Sequence, residues 1–106
     1  MENVDKLSPD PRSYIAHLQQ LLATLNLAAI KQVADVLIEA FTNNQTVFIC
    51  GNGGSASTAS HMAADLGKNT VTPGKSRLRV LCLNDNMAWF SALGNDLGYE
   101  NVFTEQ

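Results

Sequence analysis

A histidine and a carboxylate stand four residues apart at His61 and Asp65. On a helix that spacing stacks one side chain a turn above the other. Such a pair can ligate a metal or handle a proton. Upstream, Gly51-Asn52-Gly53-Gly54-Ser55 has almost no side-chain bulk. Glycines let a backbone approach a phosphate closely, and a helix N-terminus adds partial positive charge. The combination suits an anionic substrate with proton or metal chemistry beside it.

These residues need three elements to position them. Thr46-Val47-Phe48-Ile49-Cys50 is short, apolar and rich in β-branched residues, which predicts a buried strand. The glycine turn follows. Ala56 to Leu66 then reads as a helix, with Gly67 as its stop. Ala59, Met62, Ala63 and Leu66 share its core face, and Thr58, His61 and Asp65 share another.

Around this unit the chain reads as two helices before it and one further strand after it. Asp10-Pro11 is an N-cap followed by proline at the first helical position. Tyr14, Leu18, Leu21, Leu22 and Leu25 recur at helical spacing, and Asn26 breaks or caps there. Ile30, Val33, Ala34, Leu37, Ile38 and Phe41 form a second helical pattern that Asn43-Asn44 ends. Residues 1–8 are polar and read as loose. Residues 1–44 are thus a helical region, and 45–106 the start of an α/β sheet. Pro73-Gly74 marks a loop over Asn69–Ser76. Leu78 to Leu83 reads as a second strand, parallel to the first because a helix intervenes. Asn84-Asp85-Asn86 caps a short helix from Met87 to Leu93, with Asp85 the expected cap and Gly94 at the end. Trp89 and Phe90 read as packing residues. Asn95-Asp96-Leu97-Gly98 reads as a loop, and Glu100–Gln106 as the start of another helix. A two-stranded parallel sheet cannot cover its faces or satisfy its edges. The fold class is therefore α/β, the first half of a doubly wound parallel sheet, and alone it is expected to be marginal.

Composition narrows the partners. Charged residues make up 16% of the 106 residues, against about 25% in typical domains. That deficit suits a chain that buries surface against something else. The net charge of −3 argues against a nucleic-acid or anionic-membrane surface. Met1–Asp5 is acidic where a secretory leader is basic, and no run approaches membrane-spanning length, so a cytoplasmic protein is expected. Cys50 and Cys82 match no zinc spacing and read as buried free thiols.

Two competing motifs fail. The turn also fits G-x-G-x-x-A, but a dinucleotide fold expects an acidic residue roughly 20 positions on. Asp85 lies 34 residues after Gly51. Gly74-Lys75-Ser76 imitates the end of a P-loop but lacks the earlier glycine and follows a loop. His17 reads as a surface residue.

The run Cys50-Gly-Asn-Gly-Gly-Ser55, then His61, an acidic residue at 65 and Leu93-Gly-Asn-Asp-Leu-Gly-Tyr99, closely resembles phosphoheptose isomerases. These belong to the SIS group of phosphosugar-binding domains. The resemblance extends from the N-terminal helices to Phe103, and family members are nearly twice as long, so the sequence looks like an N-terminal portion. The resemblance implies that sedoheptulose 7-phosphate and a D-glycero-D-manno-heptose 7-phosphate interconvert through an enediol. It implies substrate contacts at Asn52, Gly53, Gly54, Asp65, Asn95 and Asp96. It also implies zinc on His61 and Asp65, with a Gln and a His from a second half, and a homotetramer with sites between subunits.

Asp65 departs from the pattern, since the aligned family residue is a Glu that binds zinc and acts as general base. Its carboxylate reaches about 1.5 Å less, one carbon–carbon bond. A misplacement of about 1 Å can cost roughly 100-fold in rate. The alternative to an isomerase is a non-catalytic SIS module that binds a sugar phosphate or a partner protein. The Asp at 65 favours that alternative, while His61, Asn95 and Asp96 favour the enzyme.

Overall fold

A computed structural model describes residues 10–106, in two compact units that divide after Val33. The reading of residues 1–8 as loose lies outside the described residues. In the first unit, helix α1 spans Pro11–Ala23. Asp10 caps it by accepting from the Arg12 and Ser13 amides, both at 3.2 Å, and from the Ser13 hydroxyl at 2.6 Å. The Ser13 hydroxyl, followed by the two amides, holds the Asp10 carboxyl below its ordinary pKa.

Helix α2 spans Leu27–Thr42. Asn26 caps its start, its Oδ1 accepting from the Ala29 amide at 3.0 Å. The helix closes on Asn44 at φ 54°. The Asn44 amide donates to Phe41 O at 3.2 Å and the Gln45 amide to Ala40 O at 2.8 Å. That bond pair is the Schellman arrangement, which satisfies the last carbonyls of a helix.

Strand β1 spans Thr46–Ile49 and strand β2 Arg79–Cys82, parallel as expected, with Thr46 opposite Arg79 and Ile49 opposite Cys82. Both are shorter than the sequence predicts. Cys50 lies beyond β1 and is exposed, and Cys82 is half-buried, so the buried-thiol reading is corrected. The cause is an uncovered sheet face, on which Phe48 and Leu81 are 61% and 56% exposed. Among the described residues only Ala40, Ala59 and Val102 are buried apolar side chains. The core is that thin because a two-stranded sheet offers helices little area to pack on.

Three helix ends differ from expectation. Helix α3 spans Gly54–Ala64, two residues longer at its start, and continues as a π-helical turn over Asp65–Asn69. Gly67 is therefore no stop. A Cβ there would lie 3.2 Å from Val80 Cγ1, so glycine serves close packing of the turn on β2. Helix α4 runs Met87–Leu97, straight through Gly94. A Cβ at Gly94 would meet Val102 Cγ1 at 3.4 Å, and Val102 is 1% exposed. Both glycines yield space to a valine, half-buried Val80 or buried Val102, rather than ending a helix. After Gly98 at φ 92°, a 3-10 turn covers Tyr99–Asn101, and the segment to Gln106 stays in turns rather than forming the expected helix. The Gln106 side-chain amide ties it down, donating to Leu83 O at 2.8 Å and Val102 O at 2.6 Å. Among the described residues, no single helix is long and apolar enough to cross a membrane.

Candidate functional site

The glycine turn sits where β1 hands over to α3. The Leu83 amide donates to Ile49 O at 2.9 Å, which extends the strand pairing one step past β1. Asn84 extends it further with its side chain. Its Oδ1 accepts from the Gly51 amide at 3.0 Å and its Nδ2 donates to Gly51 O at 2.8 Å. The turn then reverses tightly. A Cβ on Gly51 would stand 2.6 Å from the Ser55 carbonyl group, so only glycine fits. Gly53 takes φ 54° and ψ −120° at the N-cap of α3, with no side-chain cap.

That leaves an exposed, uncapped helix start. Asn52, Gly53 and Gly54 are all exposed. Around Gly53 and Gly54 a Cβ would find nothing within 4 Å, so this stretch of backbone is open to a ligand. The Ser55 and Ala56 amides turn back on Asn52 O at 2.9 Å and Gly53 O at 3.0 Å, so it is the positive end of the helix beside open backbone that favours an anion. Asn52 Oδ1 accepts a hydrogen bond from the Tyr99 hydroxyl.

His61 and Asp65 lie further along the same helix. His61 Nε2 is 3.4 Å from Asp65 Oδ2, and their side chains are 79% and 51% exposed. The Asn69 Nδ2 donates to Asp65 Oδ1 at 2.8 Å. Both carboxylate oxygens therefore have partners. Asp65 opens the π-helical turn, a feature frequent at functional sites. A tetrahedral zinc with bonds of 2.0–2.1 Å holds neighbouring ligand atoms about 3.3 Å apart. The His61–Asp65 spacing fits two corners of such a site. Among the described residues no cluster of three or more His, Cys, Asp or Glu side chains could hold a metal. His17 is exposed, in keeping with a surface residue.

Asn95 and Asp96 are corrected from a loop to the last turn of α4. Both are exposed, and the Asn95 Nδ2 donates to Asp96 Oδ1 at 2.8 Å. The helix continues because Gly94 is packed against Val102, which no local pattern reveals. Asp85 is also corrected. Asn86 caps α4, accepting from the Trp89 amide at 3.0 Å, while Asp85 accepts from the Ser60 hydroxyl at 2.8 Å. Phe90 packs edge-on against Tyr99 and tilted against Phe103, whereas Trp89 is exposed.

Two residues of the site were missed by sequence reasoning. In the sequence alone Asn84 reads only as part of a cap, and Tyr99 only as the end of a motif. Both act across the fold, 33 and 47 residues from their partners. An amide residue directly after a parallel strand was the available signal for Asn84.

The signature of the SIS domain matches residues 12–106. The lincomycin biosynthesis protein LmbN of Streptomyces lincolnensis is 47% identical over 95 residues, covering 90% of this chain and 34% of that protein. The phosphoheptose isomerase of Helicobacter pylori strain 26695 is 39% identical over 97 residues, covering 90% and 50%. The chain spans half or less of the length of these relatives. Among solved structures, a phosphoheptose isomerase from Francisella tularensis superposes with a TM-score of 0.77 at 29% identity, covering all of this chain and 55% of that one. The isomerase GmhA from Neisseria gonorrhoeae gives 0.73 at 28%, covering 90% and 47%.

Proposed function

The chain belongs to the SIS domain family, and on that premise we propose that it forms part of a phosphosugar isomerase acting between sedoheptulose 7-phosphate and D-glycero-D-manno-heptose 7-phosphate. The observation that carries the reading is one helix, α3, with an uncapped glycine start at one end and the His61–Asp65 pair at the other. The first suits the anionic or hydroxyl-rich parts of a sugar phosphate, and the second suits its reacting carbons. The likeness to phosphoheptose isomerases over 90% of the chain supports this substrate class.

In this reading Asn52, Gly53 and Gly54 hold the substrate, with Asn95 and Asp96 taking sugar hydroxyls. The Asp65 carboxylate removes a proton from C1 of the open-chain ketose. The C1–H electron pair becomes the C1–C2 double bond of an enediol, and the C2 carbonyl oxygen takes a proton. Loss of the C1 hydroxyl proton then forms the C1 aldehyde, and the C1–C2 electron pair moves to C2, which takes a proton to give the aldose. Asn69 keeps Asp65 Oδ1 fixed throughout. His61 and Asp65 would hold zinc, which would polarise the substrate oxygens next to the proton being moved. Its remaining ligands, the active tetramer and a cytoplasmic location belong to the same proposal.

A second reading keeps the binding site without the chemistry. Its support is the Asp65 carboxylate itself, shorter than Glu and with both oxygens engaged by His61 and Asn69. The test is a paired measurement on the full-length protein, zinc titration and turnover of sedoheptulose 7-phosphate. Zinc binding with isomerisation supports the enzyme. Sugar-phosphate binding without either supports the regulatory or assembly module.

A further inference from the structure

Tyr99 follows α4 in the chain and meets the glycine turn through its hydroxyl. It opens the 3-10 turn after Gly98, and its ring meets Phe90 edge-on at 6.0 Å and 83°. Phe90 in turn packs on Phe103 at 5.7 Å, next to the buried Val102. The ring is therefore anchored by α4 and the closing turns. Its hydroxyl donates to Asn52 Oδ1 across 47 residues of sequence.

An asparagine amide has an acceptor on one side and two donors on the other. A donor fixed on Oδ1 decides which way the amide faces. Asn52 is exposed and sits beside open backbone at Gly53 and Gly54, so its freedom of rotation would otherwise be large. We propose that Tyr99 is a positioning residue, holding Asn52 so that both Nδ2 donors face the bound sugar phosphate. The proposal rests on the reading of Asn52–Gly54 as the sugar-phosphate site. Tyr99 acts through Asn52, and the same bond links the α4 end of the site, where Asn95 and Asp96 lie, to the glycine turn.

The test uses Tyr99→Phe, Asn52→Ala and the double variant in the full-length protein, with sedoheptulose 7-phosphate as probe. Tyr99→Phe keeps the ring and its packing and removes only the donor. Binding weakens about threefold to tenfold in Tyr99→Phe, the range expected from losing one hydrogen bond. KM rises more than kcat falls, and adding Tyr99→Phe to Asn52→Ala costs nothing further. The Asn52 side-chain amide signals move toward free-asparagine positions in the NMR spectrum of Tyr99→Phe. Unchanged binding in Tyr99→Phe beside weakened binding in Asn52→Ala overturns the role of Tyr99 and leaves the site standing. Additive losses in the double variant also overturn it. Unchanged binding in every variant, or no binding by the unaltered protein, removes the sugar-phosphate site and this proposal together.

Discussion

The side chain of Asn84 pairs with both backbone groups of Gly51, taking its amide at 3.0 Å and donating to its carbonyl at 2.8 Å. The amide thus imitates one more residue of a β-ladder just where the two strands end. It fixes the first residue of the glycine turn, and everything downstream in α3 inherits that position. Asn84→Ala should cost about 1–3 kcal/mol, the usual penalty for stranding part-buried polar groups. Asn84→Asp should cost at least as much at neutral pH, because it sets an acceptor against the Gly51 carbonyl. Urea unfolding, read as a shift in midpoint at constant slope, measures both. A midpoint unmoved in both variants would contradict the clamp.

The glycines of the turn should separate by position. Gly51→Ala forces a Cβ to 2.6 Å from the Ser55 carbonyl group and should severely destabilise the unit. Gly54→Ala meets nothing within 4 Å and lies inside α3, so stability should hold or rise by up to about 1 kcal/mol. Its added methyl stands where a ligand would approach, so sugar-phosphate binding should weaken while folding does not. Calorimetric titration beside thermal unfolding distinguishes the two effects. Equal binding by Gly54→Ala and the unaltered protein would argue against a ligand at that backbone.

Asp65→Glu should raise isomerase turnover in the full-length protein, by up to roughly 100-fold if reach is what limits the base. His61→Ala should lower zinc affinity by at least about 10-fold, since even outer-shell partners of a metal contribute that much. The first is read in a coupled sugar-phosphate assay and the second by competition with a chelating dye. A measurable rate that Asp65→Glu leaves unchanged would count against Asp65 as the base.

The cap of α1 gives a pH prediction. The Asp10 carboxyl is held below its ordinary pKa in the folded chain, chiefly by the Ser13 hydroxyl. A depressed carboxyl contributes stability that is present above its unfolded pKa of about 3.9 and is lost as pH falls through the folded value. Asp10→Asn keeps a capping oxygen and removes the titration. Difference circular dichroism between the two proteins should show helix lost below about pH 4 only where Asp10 is present. Identical acid titrations would mean the cap does not couple to protonation.

The strands, the glycine turn and the caps at Asp10, Asn26 and Asn44 were legible because each is decided within a few residues. The helix ends at Gly67 and Gly94 were not. A glycine that stops a helix and one that makes room for Val80 or Val102 look alike in sequence, and only the neighbour distinguishes them. The same limit hid Ser60 as the partner of Asp85, 25 residues away, and left Asp85 read as a cap. For the candidate site, type and spacing singled out His61 and Asp65, which the structure places 3.4 Å apart. The residues that hold the turn, Asn84 and Tyr99, come from the second strand and beyond, where no period or motif points to them.

If Asp65 moves a proton at a heptose phosphate, hydrogen from solvent must enter the sugar. The full-length protein is incubated with sedoheptulose 7-phosphate in heavy water, and the sugar is followed by NMR. The expected result is an aldose carrying deuterium at C2, together with deuterium washed into C1 of the remaining ketose, and both lost in Asp65→Ala. A sugar that binds but neither isomerises nor takes up deuterium would contradict the isomerase and leave a binding module.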